Sequence, residues 1–288
     1  MWKNDAIIIW IFTFFKLLVQ TAGRKGVIIE GDIIVTKNVA NIIQESRGQN
    51  SANKRNAIKA DIYRWKDGII PYMISPQIDG LTRQLILRAF AEYERISCIK
   101  FIKKEFLDGY VDYVKFIADD GCYSAIGRQG GKQEISLGDG CNTFGHVLHE
   151  LMHCIGFFHE QSRYDRDLYV KILWWNIADG AFKNFASYSH GKVDTLNAPY
   201  DKHSILHYGN KAFTKNGGNT VESLDNPNEE LGKEQLSIID IYQLNKLYGC
   251  YKATCFDKYK SCEKKARSGC YKDIKFFSEI CPKSCGLC

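Results

Sequence analysis

No stretch of about twenty apolar residues occurs anywhere in this 288-residue chain, so no segment reads as one that would remain across a bilayer. The nearest approach is at the start, MWKNDAIIIWIFTFFKLLVQTAGRKG, where the apolar run from Ala6 to Phe15 is interrupted by Lys16. With Lys3 ahead of it and the small residues Thr21, Ala22 and Gly23 behind, the run has the form of a secretory signal over residues 1–22. Once that signal is removed, no stable membrane insertion is expected. A concentrated basic patch is also missing: the formal charge of +6 is modest and spread along the chain, which excludes a nucleic-acid partner of the usual kind. Histidine is scarce as well, with only 7 in the chain, yet three of them fall between residues 149 and 159. What the chain does have is 45% hydrophobic residues, ample for a core, and 11 cysteines, which point to an oxidising, extracellular compartment.

The histidine cluster reads HELMHCIGFFHE, residues 149–160. On a helix each residue turns about 100°, so His149 and His153 lie on one face, a turn apart. Two imidazoles so placed can close on a single ion at the roughly 2.0–2.1 Å that zinc requires. Glu150 then sits beside the ion, where a carboxylate can take a proton from water. A continuing helix would carry His159 about 240° away from His153, so the helix must stop between them. Gly156 is the residue able to adopt the left-handed conformation that ends it. Three protein ligands with one position left open describe a catalytic zinc site, one ion per chain. Cys154 points away from that face, about 100° past His153. His146 is one turn before His149 and reads as a structural or surface histidine; His190 and His203 have no ligand spacing.

Elsewhere the pattern is α+β. LTRQLILRAFAEYERIS (81–97) sets Leu85, Ala89, Phe90, Tyr93 and Ile96 at helical spacing. Strands are expected at 98–104 and 111–117, and a second helix near 237–248 with Ser237 as N-cap and Asp240 behind it. Residues 44–56 are polar and read as an exposed linker. Just before them, VIIEGDIIV has a hairpin pattern, with Glu30-Gly31-Asp32 as its turn.

HELMHCIGFFHEQSRYDRD (149–167) resembles the extended zinc signature of the astacin metallopeptidases, and similarity continues in RWKDGIIPYMI (64–74), QEISL (133–137) and YDKHSILHYG (200–209). The resemblance spans about residues 27–250. It implies a zinc endopeptidase acting on protein or peptide substrates, with His149, His153 and His159 as ligands, Glu150 as catalytic base and QEISL as the cleft-edge strand. It also implies that Tyr208 binds the metal at rest and then the oxyanion. Leu206 stands where the family has the methionine of its turn beneath the histidines; Leu and Met are close in volume, so activity is expected to survive. IEGD (29–32) is similar to an element of astacin prosegments whose aspartate occupies the metal. Asp32 is therefore the candidate latency residue, binding zinc in the zymogen only. An activating protease would cut between Arg55 and Asn56, ending a propeptide of residues 23–55, and Glu160 would receive the new terminus at Asn56. The peptidase domain would run from 56 to 250, with Cys98–Cys250 and Cys122–Cys141 paired.

The last 34 residues, 255–288, hold six cysteines and cannot bury much core without disulfides. Spacing alone leaves fifteen connectivities open. The ending CPKSCGLC resembles a ShK toxin-like domain, which implies the pairs Cys255–Cys288, Cys262–Cys281 and Cys270–Cys285. Counted against the two resemblances, Cys154 is left without a partner and is expected to be a buried thiol. Lys275-Phe276 falls where such toxins carry a channel-plugging pair, although a solvated lysine beside a packed phenylalanine is the plainer reading. Two functions from different classes follow: a secreted zinc endopeptidase made as a zymogen, or a secreted binding or potassium-channel-blocking protein whose effector is the tail.

Overall fold

The structure, a computed structural model, describes residues 27–37, 61–187 and 195–250, together with positions 40, 57, 257, 261, 262, 264 and 281–285. The expected signal, the Arg55–Asn56 bond, His190 and Lys275-Phe276 lie outside the described residues.

The fold is α+β. Its regular part is a five-stranded sheet built from β3 (Ile69–Ile74), β4 (Lys100–Lys103), β5 (Tyr113–Ile117), β6 (Cys122–Tyr123) and β7 (Lys132–Leu137). The spatial order is β4-β3-β5-β7-β6, with all neighbours parallel except the last pair. The strand QEISL, within β7, is therefore an inner strand, and this corrects its expected place at the cleft edge. The edge is β6, which is only two residues long and carries no alternation to read. β7 is buried over most of its length, as a strand with neighbours on both sides must be.

Helix α1 (Gly80–Ile96) backs the sheet. Asp79 caps it, accepting from the backbone N–H groups of Leu81 (2.8 Å) and Thr82 (3.0 Å). Its inner face buries Ile86, Ala89, Phe90, Tyr93 and Ile96, while Leu85 is only partly covered. Phe90 stacks on Phe101 of β4 with ring centroids 4.1 Å apart. Helix α2 (Phe144–Ile155) crosses the same core, and the Tyr93 hydroxyl donates to its Leu148 carbonyl at 2.7 Å. Helix α3 (Ile238–Tyr248) starts with a capping box in which Ser237 and Asp240 serve each other's backbone N–H groups. Cys98, just after α1, is bonded to Cys250, just after α3, and Cys122 of β6 is bonded to Cys141, before α2.

After α2 the chain loses its regularity. Short 3₁₀ turns alternate with one antiparallel pair, β8 (Val170–Ile172) with β9 (Val221–Ser223). A separate small core gathers Val170, Ile177, Phe185, Tyr200, Tyr208 and Val221. Arg163, 2% exposed, is buried beneath this region. It donates to Glu160 and Asp165 at 2.9 Å each and to the Pro199 carbonyl at 3.1 Å.

At the N-terminal side, β1 (Val27–Ile29) and β2 (Ile33–Val35) form an antiparallel hairpin. It lies against the sheet edge, with the Ile34 N–H donating to the Ser124 carbonyl and the Ser124 N–H to the Asp32 carbonyl, both at 2.9 Å. Ala57, fully buried, bridges Phe157 in antiparallel sense. In the tail, Cys262 is bonded to Cys281. Cys285 is buried and disulfide-bonded, while Cys255, Cys270 and Cys288 lie outside the described residues. Among the described residues no helix is long and apolar enough to cross a membrane.

Candidate metal centre

Helix α2 begins where the Thr143 side chain accepts from the His146 N–H at 3.1 Å. It ends at Gly156, whose φ of 136° is open to glycine and strained for other residues. That break turns Phe157 and Phe158 back into the core and lets His159 return from a separate segment. His149, His153, His159 and Asp32 then offer ligand atoms that all lie within 4.8 Å of one another. The Nε2 atoms of His149 and His153 are 3.1 Å apart. The Asp32 Oδ2 atom stands 3.1 Å from His149 Nε2 and 3.2 Å from His159 Nε2. Adjacent ligands on a tetrahedral ion with bonds of 2.0–2.1 Å are separated by about 3.3 Å, so these spacings suit zinc.

The outward nitrogens are also held. His149 Nδ1 donates to the Ile205 carbonyl and His153 Nδ1 to the Phe157 carbonyl, both at 2.7 Å, and His159 Nδ1 to Glu30 Oε2 at 2.8 Å. With a partner on each Nδ1, each Nε2 is turned to the centre of the cluster, where a bound ion would take the place of any proton it carries.

Charge points the same way. Burial raises Asp32, but its three histidine neighbours outweigh that and hold it well below its ordinary range. Burial and the nearby Asp32 carboxylate hold the Glu150 acid well above its own. Burial brings the His153 imidazole down to about 4; it acts the same way on His159, but Asp32 and Glu30 prevail and push that imidazole up to about 10. Two buried carboxylate oxygens, Asp32 Oδ1 and Glu150 Oε2, have no hydrogen-bond partner among the described residues. Buried acids left in this condition fit a site that takes a cation.

Tyr208 stands edge-on to His159, ring centroids 5.0 Å apart, and its hydroxyl donates to the Glu30 carbonyl. Burial raises that phenol well above its usual value, so it stays a donor. Leu206 is buried in the core, 3% exposed, and its carbonyl accepts from the Glu160 N–H at 3.0 Å. The turn around it is fixed by Asp240, which accepts from the Ser204 hydroxyl at 2.6 Å and the Ile205 N–H at 2.9 Å. Glu160 accepts from Arg163 and from the Asp201 N–H, each at 2.9 Å. Cys154 is a free, buried thiol on the far side of α2; burial pushes it up, and the Gln133 amide nitrogen lies 3.9 Å from its sulfur. His146 is exposed and His203 pairs with Glu229 at the surface, so neither joins the cluster.

Three contributors carry no local mark of the contacts they make. Glu30 reads as one residue of a turn, Asp240 only as part of a helix cap, and Arg163 only as a member of the zinc signature 149–167. The Glu160–Arg163 spacing of three was the one available hint that the arginine had a partner.

Comparison with known proteins agrees with this geometry. The profile of the astacin peptidase family matches residues 57–249, and the ShK domain-like profile matches residues 254–288. The chain is 46% identical over 198 residues to zinc metalloproteinase nas-13 of Caenorhabditis elegans, covering 68% of this chain and 43% of that protein. With zinc metalloproteinase nas-4 of the same organism the identity is 40% over 222 residues, covering 77% of this chain and 69% of the relative. The chain thus spans less than half of the first relative's length. Among solved structures, high choriolytic enzyme 1, a hatching enzyme zinc-protease from Oryzias latipes (medaka fish), is similar with a TM-score of 0.63 and 37% identity. That match covers 68% of this chain and all of the other, 100%.

Proposed function

The chain belongs to the astacin family of peptidases, and from that premise we propose that it is a secreted zinc endopeptidase made as a zymogen. The observation that carries this reading is the convergence of three imidazole Nε2 atoms and the Asp32 carboxylate beside the buried acid of Glu150.

His149, His153 and His159 would hold one zinc, with Asp32 as an additional ligand in the uncleaved chain. When bound, zinc supplies Lewis acidity toward the scissile carbonyl and toward the attacking water. Glu150 takes the proton of that water on its carboxylate and delivers it to the leaving amine nitrogen. The Tyr208 hydroxyl, once the Glu30 carbonyl has gone, is available to donate to the oxyanion. The backbone of Ser124, now paired with the 32–34 segment, would bind the extended substrate at the sheet edge.

Latency is supported by the same contacts. The turn 30–32 occupies the histidine cluster, ties up Tyr208 and pairs with the edge strand, so three functions of the cleft are blocked at once. Cutting after Arg55 by an activating protease would remove residues 23–55. Secretion rests on the N-terminal signal pattern and on the disulfides. The ShK-like tail, 255–288, is read as a binding or targeting appendage, and the channel-blocking alternative is left to Lys275-Phe276.

The test is direct. The cleaved protein should contain one zinc per chain, and Glu150→Ala should retain the metal while losing nearly all turnover of a peptide substrate. Peptidase activity in the pure protein that survives removal of zinc by a chelator would overturn the reading.

A further inference from the structure

The three histidines of the cluster differ in who satisfies their second nitrogen. A ligating imidazole needs a partner for that N–H, because the partner fixes the ring's tautomer and aim and raises its basicity. His149 and His153 find theirs inside the peptidase domain, on the carbonyls of Ile205 and Phe157. His159 donates instead to the carboxylate of Glu30, a residue of the N-terminal hairpin. This is the only carboxylate among the three partners, and the contact is secluded: Glu30 is 5% exposed and His159 fully buried.

The hairpin is shaped to deliver it. Glu30 has a φ of 51°, a left-handed conformation rare for a residue with a side chain. Its carbonyl is fixed by the Tyr208 hydroxyl. Gly31, φ 90°, follows it so close to Phe213 that a Cβ there would stand 2.6 Å from the ring. Turn, ring and phenol together aim two acids from one three-residue loop, Asp32 at the Nε2 side of His159 and Glu30 at its Nδ1 side.

We propose that Glu30 is a positioning residue for the third zinc ligand that exists only in the uncleaved chain, so that activation removes a carboxylate–histidine support and leaves the enzyme holding its metal less tightly than the zymogen did. The proposal rests on reading residues 27–35 as a removable latency segment. It assigns the segment a second task, metal retention, alongside blocking the cleft.

The experiment compares full-length wild type with Glu30→Gln, Glu30→Ala and Asp32→Ala, each before and after proteolytic removal of residues up to Arg55. Zinc affinity is read by competition with a chromogenic zinc chelator, and peptidase activity is read in parallel. Uncleaved Glu30→Ala should hold zinc about tenfold less tightly than uncleaved wild type, the size expected for losing such a partner. Glu30→Gln, which keeps an acceptor but loses the charge, should fall between and guards against misfolding of the alanine variant. After cleavage the two Glu30 variants and wild type are the same molecule, so their zinc affinities should coincide and should lie below that of the uncleaved wild type. Equal zinc affinity in uncleaved wild type and both Glu30 variants would overturn the proposal, and so would a difference that persists after cleavage. Failure of the latency reading looks different: uncleaved wild type would be as active as the cleaved form, or Asp32→Ala would leave the uncleaved chain silent.

Discussion

The chain before Gly156 and the chain after it are held together by different means, and the metal cluster takes ligands from both. Ahead of Gly156, hydrogen-bonded strands and two long helices carry the structure, and the buried side chains are mostly apolar. Behind it, short turns are fixed by buried polar groups, above all Arg163 with Glu160 and Asp165, and Asp240 with Ser204 and Ile205. His149 and His153 therefore stand on a helix, whereas His159, Leu206 and Tyr208 stand on segments that side chains hold in place. The difference predicts that loss of a buried polar group in the second region disturbs the site from a distance, while a surface substitution in the first does not.

The sharpest test sets one ion pair against another. Arg163→Met removes one member of a fully buried pair and should cost about 3–5 kcal/mol of stability by denaturant unfolding, with loss of bound zinc. Arg95→Ala breaks the exposed Glu92–Arg95 pair on α1 and should cost under about 1 kcal/mol with zinc unchanged. If the two cost the same, the contrast between the regions fails. Next in size is Asp240→Ala, which leaves two buried donors without their acceptor and should cost about 1–3 kcal/mol. Because Ile205 presents its carbonyl to His149, that variant should also bind zinc more weakly; unchanged zinc affinity would show that the turn does not aim the histidine. Leu206→Met should change stability by less than about 1.5 kcal/mol in either direction and leave zinc content alone, since the side chain is a buried apolar filler in the core. The smallest effect belongs to the regular region: Cys154 should be silent toward thiol reagents until the protein unfolds, and Cys154→Ala should keep zinc content. Rapid labelling of the native protein would show that α2 is not packed as described.

The same division explains what could be read from the chain alone. Helix periodicity, the Ser237–Asp240 cap and the stop at Gly156 are local signals, and they locate α1, α3 and the spacing of the histidines. The sheet order is not local. QEISL looks like any half-buried strand until its neighbours on both sides are known, and Cys122–Tyr123 is too short to announce itself as an edge. Contacts across long separations were equally hidden: Glu30 meets His159 across 129 residues and Asp240 meets Ser204 across 36. A buried charge network has no period, so beyond its zinc signature and the capped helix α3 the second region gave few signals.

The Cys98–Cys250 bond, which joins positions 152 residues apart, encloses all three histidines, Glu150, Tyr208 and the whole turn-rich region after Gly156 in one covalent loop. Under the proposed function the protein is exposed to its own activity, and the turn-rich region after Gly156 is where a self-inflicted cut would most readily be made. One such nick inside the loop would not release a fragment, because both pieces stay tethered through the disulfide. The nicked molecule would run as one band without reductant and as two with it. Autolysis would thus have to occur twice, or follow reduction of that bond, before the catalytic domain came apart.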